Sequence, residues 1–237
     1  MRFLFAVLAA ALALQAPVAA AATAETALGG GVAGRIFITR KLTKSRAPAP
    51  GAYQRGVAVR PGEREGDFVQ AELRRTAIYV ESAAALPARP VTVEIEQQDR
   101  IFRPETVVIP VGSSVSFPNL DPIFHNVFSL SKPQAFDLGN YPRNETRVVK
   151  FSKPGIVPVY CHLHPDMRAT VVVAPNSWAT MPGPDGRYQL PPLPPGEYTI
   201  VVWHRSAGFF RETVTMPRKA GEGLDFRVPV DPSEQRR

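Results

Sequence analysis

A single cysteine, Cys161, is all the thiol chemistry in this sequence, and the chain has only four histidines. One thiol excludes a disulfide within the chain, so apolar packing must hold the fold without covalent staples. Long hydrophobic runs are also missing. The longest charge-free apolar stretch, Phe3 to Leu14, has 12 residues, short of the roughly 20 that cross a bilayer. No motif for nucleic-acid recognition occurs, so no nucleic-acid partner is expected.

That short stretch has the layout of a secretory signal. Met1-Arg2 gives a positive start, the apolar run follows, and Ala19 to Ala22 offers small residues for cleavage near Ala22 or Ala24. Residues 1–22 are therefore predicted to be a signal peptide and the product to be periplasmic or secreted. The cleavage region has no cysteine for a lipid anchor, so no stable membrane anchor is expected. Losing Arg2 lowers the formal charge from +7 to +6. Residues 35–75 hold ten Lys/Arg against four Asp/Glu, whereas residues 91–175 hold eight of each. The surplus, led by Arg35, Arg40, Lys41, Lys44 and Arg46, reads as a solvated loop face or as a docking patch for an acidic partner or an anionic membrane surface.

Proline is abundant, at 25 residues, and favours short strands and turns over long helices. Short alternating segments recur throughout: 34–39, 76–80, 91–96, 106–111, 114–117, 126–129, 146–151, 157–161, 168–174, 188–190, 198–204, 209–216 and 224–228. Turn residues separate them, and residues 44–66 read as a long loop. This spacing predicts an all-β chain of sandwich type. Residues 91–175 suffice for one such domain. The flanks, 30–88 and 178–230, are each too small to bury a stable core alone. They are expected to fold together as a second small sandwich of immunoglobulin or transthyretin type, with the central domain inserted. A loose N-terminal arm beside a small C-terminal sheet is the alternative. Residues 231–237 read as a polar tail.

The lone cysteine opens the run Cys161-His162-Leu163-His164-Pro165-Asp166-Met167, and His125 stands upstream in Phe124-His125-Asn126-Val127-Phe128. One thiolate, two imidazoles and one thioether, here Cys161, His125, His164 and Met167, are the ligand set of a blue-copper electron-transfer site. A soft thiolate suits Cu(I), imidazoles suit both oxidation states, and a long thioether contact tunes the potential. Cys161 ends a strand, so a tight loop can aim Cys161, His164 and Met167 at one centre. His125 is expected from a separate loop. Asn126 is a candidate to hydrogen-bond across to the Cys161 loop. His162 reads as an exposed loop residue or an extra ligand, and His204 as structural. One cysteine excludes a binuclear copper centre bridged by two cysteines, and four histidines exclude a trinuclear cluster. Zinc fits poorly because methionine is a poor zinc ligand. A cysteine hydrolase leaves the second histidine and the methionine unexplained. Copper delivery, or a binding module with a lapsed site, remains open beside electron transfer.

Residues 91–175 resemble the cupredoxin family. The resemblance runs through Phe102-Arg103-Pro104, Pro110 to Asn119, His125-Asn126-Val127, Pro154-Gly155 and Tyr160-Cys161, and the Cys-x-x-His-x-x-Met spacing looks most like amicyanin. It implies a Greek-key β-sandwich and one type 1 copper at His125, Cys161, His164 and Met167. It also implies single-electron transfer through the edge of His164. A periplasmic redox protein is the expected partner, but its identity is not carried over, because the flanks lie outside the amicyanin pattern, and no substrate chemistry of its own is expected. His162 departs from the pattern, since amicyanin has a small polar residue there. In the flanks, Asp185 to Leu190, Leu193 to Ile200 and Gly34-Arg35-Ile36 resemble the carboxypeptidase regulatory-like domain, a small non-catalytic sandwich. Such a combination is similar to proteins labelled methylamine-utilisation or plastocyanin-like.

Overall fold

The structure, a computed structural model, describes residues 31–40, 65–82, 86–219 and 221–230. The expected signal peptide, most of the loop at 44–66, the basic residues Lys41, Lys44 and Arg46, and the tail lie outside the described residues. Within them the chain is all-β apart from one helix, α1 (Glu65–Leu73). No described helix is long and apolar enough to cross a membrane.

Four sheets stack to give two sandwiches. In the first, a sheet of three strands, β3 (Thr92–Glu94), β7 (Ser114–Pro118) and β10 (Thr146–Lys150), faces a sheet of five. The five run in the order β6 (Thr106–Pro110), β12 (Arg168–Ala174), β11 (Gly155–Tyr160), β8 (His125–Leu130) and β9 (Ala135–Tyr141). Between them lie Ile95, Phe102, Ile109, Phe117, Val127, Phe151, Val157 and Val171, all buried, together with Cys161 and Met167. A hairpin of β4 (Glu96–Gln98) and β5 (Ile101–Arg103) closes one side.

The second sandwich is built from both flanks. β1 (Ala33–Arg40) pairs antiparallel with β14 (Arg187–Gln189) and parallel with β17 (Phe226–Val230). Opposite them, β13 (Ala179–Thr180), β2 (Thr76–Glu81), β15 (Gly196–His204) and β16 (Gly208–Met216) form one sheet. Ile36, Phe68, Leu73, Ile78, Val80, Tyr188, Ile200, Val202 and Phe226 fill its core. Gly34 is required where β1 passes under the 224 loop, because a Cβ there would collide with the Leu224 carbonyl.

The two sandwiches share a third apolar cluster of Ala77, Tyr79, Val172, Ala174, Val201 and Trp203. Strands β2, β12 and β15 are therefore covered on both faces, which is why TAIYVE, RATVVVA and the end of GEYTIVVWH read as near-continuous apolar runs. A polar network closes the edge of this contact. The Glu105 carboxylate accepts from Arg75 Nε at 3.2 Å and from Arg205 Nη1 at 3.3 Å. Arg205 Nη2 donates to the Glu105 carbonyl and to Thr170 Oγ1. His204, buried as the last residue of β15, stands 3.1 Å from the equally buried Glu72 and accepts at Nδ1 from the Ser206 and Ala207 amides.

Sequence pattern missed α1, β5, β9 and β13, and the single strand expected over 91–96 is split at Ile95 into β3 and the start of β4. Among the described side chains of α1 only Phe68, Glu72 and Leu73 are buried, too few to write a helical period. β9 half-buries Phe136 and Leu138 but is interrupted by Asp137, Gly139 and Asn140. His125 is not a loop residue. It opens β8, because Tyr141 at the end of β9 pairs with it and extends the strand.

Candidate metal centre

Two connections at one end of the five-stranded sheet build the site. The first, residues 119–124, leads into β8. Buried Asn119 shapes it by donating from Nδ2 to the Ile123 and Tyr141 carbonyls and accepting at Oδ1 from the Asp121 amide. The second, residues 161–167, joins β11 to β12, and the Met167 amide closes it onto the His164 carbonyl at 3.0 Å.

His125, Cys161 and His164 converge, with one donor atom from each within 4.8 Å of the others. His125 Nδ1 lies 3.1 Å from His164 Nδ1, and Cys161 Sγ lies 3.8 Å from His164 Nδ1. His125 and Cys161 are buried and His164 is half-buried. Met167 is fully buried in the same sandwich core.

The partners of His125 decide which nitrogen faces the cluster. Its Nε2 donates to Asp121 Oδ2 at 2.8 Å, which leaves the Nδ1 lone pair pointing at His164. Asp121 is held in turn by the hairpin turn between β4 and β5. Asp99 and Arg100 both have φ of 57°, as a two-residue type I′ turn requires. Their amides donate to the Asp121 carboxylate at 2.8 and 2.9 Å. Burial pushes the Asp121 carboxyl up, but the Arg100 amide, the His125 ring and the Asp99 amide outweigh it and hold it below the usual carboxylate range. Burial, followed by the charges of His125 and Arg100, lowers the His164 ring from its ordinary value and favours its uncharged form.

Two imidazole lone pairs do not face each other at 3.1 Å without a positive centre between them, either a proton or a metal ion. Two imidazole nitrogens and one thiolate sulfur are the donors of a His2Cys site. The donor set therefore fits a soft or borderline transition metal.

Around the thiol, the Asn126 amide donates to Cys161 Sγ at 3.4 Å, and Asn126 Oδ1 accepts from the His162 amide at 3.4 Å. Asn126 thus spans the two segments that carry the candidate ligands. His162 turns away from the cluster, stacks on Phe128 with centroids 3.7 Å apart and reaches Asp137 at 3.4 Å. Sequence reasoning missed Asp121 and Asp137. The signal for Asp121 is a carboxylate four residues before a candidate ligand histidine. Asp137 carried no signal, because β9 itself was not recognised.

No protein-family model and no curated protein matches the chain. Among solved structures it is similar to a copper-containing nitrite reductase (NirK) from Thermus scotoductus SA-01, at 28% identity and TM-score 0.33, covering 40% of this chain and 25% of that one. It is similar to a purple cupredoxin from Nitrosopumilus maritimus, at 24% identity and TM-score 0.32, covering 34% of this chain and 98% of that one. It is also similar to amicyanin from Paracoccus versutus, at 24% identity and TM-score 0.32, covering 40% and 96%. The chain thus spans a quarter of the nitrite reductase and nearly all of the two smaller proteins.

Proposed function

We propose that this chain is an exported copper protein that carries single electrons between redox partners of the cell envelope. The observation that carries the reading is the convergence of His125 Nδ1, His164 Nδ1 and Cys161 Sγ at one end of a rigid sheet. His125, Cys161, His164 and Met167 would hold copper, and bound copper would supply the one-electron couple. The apolar run at the N-terminus supports export.

The residues around the site suit this role. Asp121 fixes the His125 ring so that Nδ1 stays turned inward, and the Asn126 amide places a dipole on the thiolate sulfur. Burial of His125, Cys161 and Met167 excludes water, so little solvent must reorganise when charge changes. Half-buried His164 gives the site an edge toward solvent. Exposed Leu120, Ile123, Phe124 and Leu163 lie in the two ligand-bearing connections and offer apolar contact to a transient partner.

Copper loading followed by visible spectroscopy and redox titration tests the reading. One copper per chain, an intense thiolate-to-copper(II) band and a reversible one-electron couple are expected. Cys161→Ser should remove the band and leave the sandwiches folded, as judged by far-UV circular dichroism. A colourless protein that yields Cu(I) readily to a chelator would assign copper delivery instead, and an unchanged band in Cys161→Ser would refute the ligand assignment.

A further inference from the structure

We propose that Asp137 is a positioning residue for the metal centre, acting through Asn126 to fix how the loop of residues 161–167 meets β8. The inference deepens the copper reading and depends on it for one of its two readouts.

Asn126 is buried, and its side-chain amide has two ways round. One turns Oδ1 toward the His162 amide and Nδ2 toward β9, and the other reverses them. Only the first gives the His162 N–H an acceptor, and Asp137 selects it. Asp137 Oδ1 accepts from Asn126 Nδ2 at 2.7 Å, so the carboxylate, which offers no donor, admits only the nitrogen on that side. The backbone delivers Asp137 to this place. The β8–β9 register shifts between Asn126 and Phe128. Gly139, at φ of 67°, turns its amide back onto Asp137 Oδ1 at 2.9 Å. The second oxygen, Oδ2, lies 3.4 Å from His162 Nε2, and the His162 ring lies flat on Phe128 at an interplanar angle of 4°. One exposed carboxylate on β9 therefore holds the residues on either side of the Cys161 thiol's surroundings: Asn126, whose backbone N–H meets Sγ, and His162, the next residue in the chain.

Two variants separate positioning from charge. Asp137→Asn keeps an oxygen that accepts from both Asn126 and Gly139, whereas Asp137→Ala keeps none. The first readout is amide hydrogen exchange by NMR on the metal-free full chain. Asp137→Ala should speed exchange of the His162 amide by about tenfold or more while core amides of β11 and β12 stay protected, and Asp137→Asn should keep the wild-type rate. The second readout is the reduction potential of the copper-loaded protein. Losing the carboxylate charge should raise it equally in both variants. Loosening the N–H contact to sulfur should lower it in Asp137→Ala alone, so Asp137→Ala should lie below Asp137→Asn. Unchanged His162 exchange in Asp137→Ala, or equal loss of protection in Asp137→Asn, overturns the inference. Failure of the wild-type chain to bind copper overturns the function proposed above and leaves the exchange result to decide the role of Asp137.

Discussion

Replacing Asp121 with asparagine should weaken copper binding without touching a ligand. Three N–H groups converge on this carboxylate: the Asp99 amide on Oδ1, and the Arg100 amide and His125 Nε2 on Oδ2. An asparagine has one oxygen for these three donors. With its NH2 at the Oδ2 position, it faces two N–H groups. Flipped, it faces one, the Asp99 amide, and His125 keeps a neutral acceptor. The flipped form should prevail, and the amide of exposed Asp99 is given back to water, so the loss should be that of one hydrogen bond, about 0.5–1.5 kcal/mol of stability. At about 2–4 °C per kcal/mol for a chain of this size, the metal-free melting temperature should fall by roughly 1–6 °C.

The His125 ring then loses a charged acceptor. Loss of such a partner typically costs about 10–100-fold in metal affinity, or roughly 1.4–2.7 kcal/mol. Competition titration of wild type and Asp121→Asn against a copper chelator measures it. Equal affinities would show that the carboxylate does not orient the ligand ring. The same residue gives a signed pH effect. Its carboxyl sits below its ordinary value, so its contribution to stability is present above the unfolded-state carboxylate range and is lost as pH falls through the depressed value. Melting temperature against pH should therefore be flatter on the acid side for Asp121→Asn than for wild type.

Three further outcomes are expected. Met167→Leu should keep the thiolate band and shift the reduction potential, because the axial sulfur tunes the site without carrying the charge transfer; loss of the band would mean that Met167 does more than this. Glu105→Ala removes the acceptor shared by Arg75 and Arg205, a partly exposed network, so denaturant titration should register a loss below about 2 kcal/mol that shrinks further in high salt. Trp203→Ala opens the cluster between the sandwiches and should cost about 3–5 kcal/mol, and calorimetry should then resolve two transitions if that cluster couples the two cores.

The candidate ligands were legible because their chemistry is rare in this sequence: one thiol, four imidazoles and a run spaced Cys-x-x-His-x-x-Met. Strands buried on both faces were legible as apolar runs, and alternation marked most of the others. The pairing was not legible. Ile36 sits beside Phe226 in a parallel ladder, and no local pattern encodes a partner 190 residues away. Asp121 and Asp137 escaped for a related reason. Each acts by accepting from backbone or amide donors whose positions depend on a turn at Asp99-Arg100 and on a register shift in β8–β9. Such roles follow from where the chain bends, and a carboxylate in a turn looks alike whether it is solvated or holds a ligand.

The double sandwich has a consequence for the metal centre that neither half has alone. The ligand loop hangs between β11 and β12, and β12 is held from both sides, by Val171 and Val173 in one core and by Val172 and Ala174 in the shared cluster. Thr170, near the start of that strand, accepts from Arg205 of the second sandwich. Met167 immediately precedes β12, so the strand's fixed position fixes where the Met167 side chain enters the core. On the other side of the loop, Cys161 follows β11, whose six residues pair with β12 from Tyr160–Arg168 to Gly155–Val173. A site that exchanges an electron quickly needs ligands that stay in place when the charge changes. A small sandwich alone would leave the outer face of β12 in water. Covering that face with Trp203, Tyr79 and Val201 makes the backing of the ligand loop part of an interior. Stiffening the base of the loop in this way, while His164 keeps its edge toward solvent, would tie the flanking strands to the metal centre proposed above.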